Sequence, residues 1–217
     1  MAAWDATEGF EYAEGGLNGQ NGGTNWSGAW STDAGLTVVA SPVFAGSGAC
    51  AFNNVTGCDG NRGLGTSVTS GIMRIYMYAA NAPTLARGFF PALFRDGTTI
   101  EFRLSWGVDV AGNNIGFGNG TTTETVAASP ATSTWHYVEV EFDQANNRAR
   151  ALFNGGAWGN YVTAAGGTFA EIDNIRLTNG DSNASDQGYY IDAIGVGTGP
   201  TPPAAANNFL SLMGVGT

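Results

Sequence analysis

The run Trp-His-Tyr-Val-Glu-Val-Glu-Phe-Asp-Gln-Ala-Asn-Asn-Arg-Ala-Arg-Ala-Leu-Phe-Asn-Gly-Gly, from Trp135 to Gly156, decides the fold. Val138, Val140 and Phe142 alternate with Glu139, Glu141 and Asp143, and after a short polar break Arg148, Arg150 and Leu152 alternate with Ala149, Ala151 and Phe153. A period of two places successive side chains on opposite faces of a strand, so the two halves read as a hairpin. A four-residue loop over Gln144 to Asn147 sets Asp143 opposite Arg148 and Glu141 opposite Arg150 on the solvent side. Such cross-strand pairs stabilise by roughly 0.2–1 kcal/mol each, which gives these carboxylates a structural role in place of a catalytic one.

The same pattern extends outward. Gly71 to Tyr78 and Thr98 to Trp106 read as strands; in the second, Ile100, Phe102, Leu104 and Trp106 share one face while Glu101, Arg103 and Ser105 share a wet one. Phe169 to Leu177 and Tyr189 to Val196 are two later strands, joined by an acidic loop carrying Asp181, Asn183 and Asp186. Helical periodicity is hard to find, and short alternating runs between Gly, Asn, Asp and Pro are the pattern of an all-β sandwich or barrel. The 34 glycines among 217 residues, against about 7% in average proteins, read as turn punctuation between short strands. Runs such as Gly116 to Gly120 lack the helix and Lys of a phosphate cradle and also read as turns.

Charge narrows the function classes. All eight basic residues are Arg, set against 18 Asp and Glu, for a formal charge of -10. With no Lys, a Schiff-base lysine and a Walker-type loop are excluded, and without a basic stripe nucleic-acid binding is not expected. No apolar run approaches the roughly 20 residues that cross a bilayer, so no membrane insertion is expected. The N-terminus has no secretory pattern, so synthesis in a cytosol is the expectation. Cys50 and Cys58 either close a short disulfide loop outside a cell or remain free, partly buried thiols in a reducing compartment, the second being favoured. His136 is the sole histidine and reads as a packed or hydrogen-bonded group on a strand.

The run from Trp135, followed by Arg-Ala-Leu-Phe-Asn-Gly from Arg150, resembles the core of laminin-G-like and concanavalin A-like jelly rolls. The opening Gly9 to Trp30 resembles the first segment of bacterial and phage members of this superfamily, and Tyr190 to Ile194 is similar to its last strand. The resemblance implies an antiparallel two-sheet jelly-roll sandwich of concanavalin A-like type over residues 1–198; by composition a Pro/Ala linker at 199–206 and an apolar tail at 207–217 follow. Retaining glucanases of the superfamily carry Glu-Ile-Asp followed by a second Glu. Glu171, Ile172 and Asp173 match the first half, but Ile175 and Arg176 stand where the second Glu belongs, so catalysis is not expected. Many such jelly rolls hold a structural calcium between the first and last strands, for which Glu11 and Asp192 are the corresponding candidates. The 181–186 loop offers oxygen ligands but no bidentate Glu.

Two functional expectations follow. The first is a non-enzymatic virion component of a bacteriophage, a capsid decoration, fibre or tail-associated protein that binds other virion proteins and itself as a homo-oligomer, with Phe209, Leu210, Leu212 and Met213 as an anchoring tail. The tail folding back on its own domain is the alternative. The second is a lectin-like carbohydrate-binding module, which could read host surface glycans, with Trp26, Trp30, Trp158 and Tyr161 as stacking platforms. A glycosidase is the weaker third.

Overall fold

A computed structural model describes residues 4–33, 35–52, 58–83, 88–110, 112–179 and 188–197. Among these the strands are β1 (Ala6–Glu8), β2 (Gly15–Gly16), β3 (Ser31–Thr32), β4 (Leu36–Val39), β5 (Ala49–Phe52), β6 (Asp59–Val68), β7 (Ser70–Ala79), β8 (Phe89–Asp96), β9 (Thr99–Trp106), β10 (Asn114–Gly118), β11 (Thr123–Ala128), β12 (His136–Asp143), β13 (Arg148–Phe153), β14 (Val162–Thr163), β15 (Ile172–Asn179) and β16 (Tyr189–Gly197).

The hairpin that decides the fold forms in the expected register, with Asp143 opposite Arg148 and Glu141 opposite Arg150. Its loop is one 3₁₀ turn over Gln144–Asn146, closed by Asn147 in the left-handed region at φ 52°, which asparagine tolerates better than most residues. Both charge pairs form, Arg148 Nε donating to Asp143 at 2.8 Å and Arg150 Nε to Glu141 at 2.5 Å.

The strands make two wholly antiparallel sheets. One runs β14-β13-β12-β7-β16-β5-β4-β2 with β1 added beside β16, and the other runs β11-β10-β9-β8-β15-β6-β3. Met73, Ile75, Met77, Val138, Val140 and Phe142 face inward from the first sheet, and Phe94, Phe102, Leu104, Trp106, Ile175 and Leu177 from the second. Rings interlock across the gap, Phe94 and Phe102 lying 5.2 and 6.1 Å from Phe142 and Phe52 lying 5.4 Å from Phe89. This is a jelly-roll-type sandwich whose core is the space between two alternating faces.

Three expectations are corrected. Glycine is not only turn punctuation: β6 carries Gly60, Gly63 and Gly65 inside a central strand, and Gly116 and Gly118 lie in β10. A side chain at Gly63 would overlap Ser27, so these positions let the N-terminal segment lie against the sheet. The outer side of β9 is not uniformly wet, since Glu101 and Ser105 are buried; Gly166 N–H donates to the Glu101 carboxylate from a loop that covers it. Finally, Cys50 and Cys58 are free thiols and fully buried rather than partly so, Cys58 Sγ donating to Gly35 O, and burial pushes the Cys50 thiol well above its ordinary value.

Candidate functional site

The site grows from an irregularity in β16. Its first half pairs with β5, ending at Ile191 opposite Cys50, and its second half pairs with β1, starting at Ile194 opposite Glu8. Between them Ala193 is left-handed, at φ 47°, and the register against β7 shifts. A gap therefore opens in the sheet where β16 changes neighbour, and Asp192 fills it. Asp192 Oδ2 accepts from Phe44 N–H at 2.8 Å and Ala45 N–H at 2.9 Å, and Oδ1 accepts from Ala193 N–H at 2.6 Å. Glu11 holds the same loop from the other side, accepting from Ser47 N–H and Oγ–H. Gly46, at φ 69°, is required here, because a Cβ would overlap the Glu11 carboxylate.

Beside this gap lies a cavity of ≈ 480 Å³ on the outer face of the nine-stranded sheet, within the size range of small-ligand sites. Trp4, Tyr12, Phe44 and Tyr76 supply rings to its wall, and Glu8, Glu11 and Arg74 supply charge. Trp4 lies flat on β16 only because position 195 is glycine; a Cβ there would enter the indole. Phe44 stacks on Tyr76 with centroids 3.7 Å apart. From Tyr76 the aromatic surface continues across the sheet to Tyr137 at 5.4 Å, and from Phe44 to Trp135 at 6.1 Å, then to Tyr78 and Tyr190. Arg74 points outward beneath these rings, ion-paired to Glu139, donating to the Tyr76 hydroxyl, with its guanidinium carbon 4.6 Å from the Tyr137 centroid.

Burial governs the ionisation of these groups. Desolvation pushes the Asp192 carboxyl up to about 7 despite the three amide bonds that favour its anion, and Glu11 adds repulsion. Desolvation also raises the phenols of Tyr76 and Tyr12, the second helped by its hydrogen bond to Glu8.

The expected platforms divide. Trp30 is corrected: it is 1% exposed, its indole N–H donating to Glu8, so it offers no face to a ligand. Trp26 is half-buried against the core, bonded to Thr7 O, with Arg62 5.1 Å over its ring. Trp158 is half-buried and Tyr161 is 36% exposed, and both lie over the hairpin's arginines: Arg150 is 5.0 Å from the Trp158 centroid and Arg148 3.8 Å from that of Tyr161. Glu11 and Asp192 do converge on one loop, but as arranged their oxygens do not fit calcium. Calcium takes six to eight oxygens, whereas these two carboxylates supply four, each already accepting from N–H or O–H donors, and no cluster of three or more His, Cys, Asp or Glu exists among the described residues to complete the shell. The 181–186 loop and the tail residues Phe209, Leu210, Leu212 and Met213 lie outside the described residues.

Catalytic constellations do not assemble on the residues the sequence singled out. His136 is buried, its Nε2 2.8 Å from Ala131 O and its Nδ1 2.9 Å from the Asn154 amide, so neither ring nitrogen faces a hydroxyl. Glu171 accepts from Ser67 Oγ–H and Asp173 from Gly97 N–H, each tied to a neighbouring loop or strand. Sequence reasoning missed Trp4, Phe44, Arg74 and Tyr76. The signal available was the set Arg74, Tyr76 and Tyr78 at alternate positions of one strand, where period two puts two aromatic rings and an arginine on the same face.

No family model and no curated protein matches the chain. Solved structures do. A sialidase superposes with TM-score 0.62 at 11% identity, over 91% of this chain, which spans only 19% of the sialidase. Domain 4 of an extracellular arabinanase from Geobacillus stearothermophilus, solved in complex with arabinotriose, gives 0.51 at 13% identity over 89% of this chain and 91% of that one. The carbohydrate esterase of Shiga toxin-encoding bacteriophage phi24B gives 0.52 at 18% identity over 77% and 88%. At such identities the likeness shows the fold, a two-sheet jelly-roll-type β-sandwich, and leaves function to the site.

Proposed function

We propose that the protein is a non-catalytic carbohydrate-binding module whose site is the cavity at the β5-to-β1 switch of β16. The observation that carries this reading is the wall itself: ring faces of Trp4 and Phe44, the second backed by buried Tyr76, beside carboxylate and backbone groups. A sugar ring has an apolar face that packs on an aromatic ring and a rim of hydroxyls that donate to carboxylates, so one ligand satisfies both kinds of surface. The arabinotriose complex of the arabinanase domain supports the same chemistry on the same fold. The test is a glycan array with the native chain and Phe44→Ala. Binding that drops about ten-fold in the variant, with unchanged circular dichroism, supports the reading, and the absence of any glycan binding removes it.

A second reading places this module in a bacteriophage particle, as a decoration, fibre or tail-associated protein assembled with itself and other virion proteins. Its support is the phage esterase, a chain of comparable length and fold, together with the apolar sequence after Gly199. Truncation at Gly199 should abolish association with the particle while leaving glycan binding intact; unchanged association removes this reading.

A further inference from the structure

We infer that the cavity selects neutral oligosaccharides and rejects acidic ones, a specificity that rests on the carbohydrate-binding reading and goes beyond it. The argument is one of charge accounting around the site. Arg74 is the one basic group in the cavity wall among the described residues, and its charge is matched: its Nε donates to Glu139 at 2.8 Å and a second nitrogen closes the ion pair. Glu8 is likewise matched, inside the fold, by Arg62. The unmatched charge in the wall is Glu11, which has no ion pair among the described residues; Asp192, fully buried on the other side of the loop that carries Phe44, lies outside the wall and is only partly ionised at neutral pH. The balance at the cavity is therefore negative, on a chain that is itself at -10.

A sialic acid, uronate or sulfated sugar would bring a second anion towards Glu11 with no uncommitted guanidinium to receive it. Like charges placed together in a partly desolvated site repel and weaken binding. Freeing Arg74 would leave Glu139 buried without its partner, which is costlier still. A neutral sugar meets neither penalty: its hydroxyls donate to Glu11 while its ring rests on Trp4 or Phe44. Selectivity here comes from what the wall repels as much as from what it holds.

The experiment is calorimetric titration of the full chain with matched pairs of oligosaccharides, neutral and acidic: lactose against sialyllactose, and galactobiose against digalacturonate. The expected result is neutral binding at least ten-fold tighter than acidic within each pair, a ratio that shrinks in Glu11→Gln, whose amide oxygen can still accept from Ser47. Phe44→Ala and Trp4→Ala should each weaken the neutral sugar, locating it in this cavity. Acidic sugars binding as well as neutral ones, or neutral binding indifferent to both ring variants, overturns the inference while leaving carbohydrate binding in place. Binding of neither class removes the underlying reading itself.

Discussion

Two arginines meet the same chemistry at different depths. Arg62 sits under Trp26 and Trp30 and pairs with Glu8; Arg150 sits under Trp158 and Tyr161 and pairs with Glu141. The first pair is sealed, with side chains 0% and 1% exposed, and the second stands at 27% and 30%. Around the sealed pair every acceptor and donor is taken. Glu8 accepts from Phe10 N–H, Tyr12 Oη–H and Trp30 Nε1–H, while Arg62 donates to Gly28 O, Gly22 O and Asn21 Oδ1. That network pins the glycine-rich segment from Phe10 to Trp30 onto β6. The exposed pair pins only a short loop to the hairpin. Identical residue types thus organise structure where water is excluded and present surface where it is not.

The largest expected break in this comparison is at the sealed pair. Arg62→Ala leaves the Glu8 carboxylate buried without its counter-charge and should cost about 3–5 kcal/mol, read from urea midpoints and loss of near-ultraviolet signal from Trp26 and Trp30. A third buried charge, Asp192, gives the next effect. Its folded carboxyl titrates near 7, above the ordinary 3.8, so the folded state binds the proton more tightly than the unfolded chain does. Its contribution is therefore fully present below about pH 4 and is lost as pH rises towards about 7, by a few kcal/mol. Asp192→Asn should flatten that decline; an equally steep fall in the variant would assign it to other groups. Phe44→Ala should reduce glycan affinity about ten-fold with little change in stability, since Phe44 is half-buried at the cavity wall. The smallest effect belongs to the exposed pair: Arg150→Ala should cost about 1 kcal/mol or less, because solvent screens the charges and the ring contacts are open on one side. A large loss there would erase the distinction between the two arginines.

Much of the fold was legible from alternation. The hairpin at residues 135–156 came out in the expected register because a one-residue slip would have turned Val138, Val140 and Phe142 to water. β6 was not legible, since Asp-Gly-Asn-Arg-Gly-Leu-Gly has no apolar alternation to read; its strand is set by pairing with β15 and by the N-terminal segment lying over its glycines. The aromatic surface was half legible. Tyr161 stands exposed as a platform should, whereas Trp30 does not, and nothing local distinguishes them, because both sit in Gly- and Asn-rich stretches.

By itself, then, the sequence determined the all-β pattern of alternating strands, the hairpin charge pairs, and the exclusion of lysine chemistry and phosphate cradles. These depend on periodicity and composition, which are properties of neighbours in the chain. Only the tertiary structure decided which rings are wall and which are core, that Arg74 is matched by Glu139, and that the first and last strands meet in a gap filled by Asp192. Those outcomes turn on contacts between residues far apart in the chain, such as Phe44 with Asp192 and Arg74 with Glu139. Burial then fixes the strength of each charge and the availability of each ring.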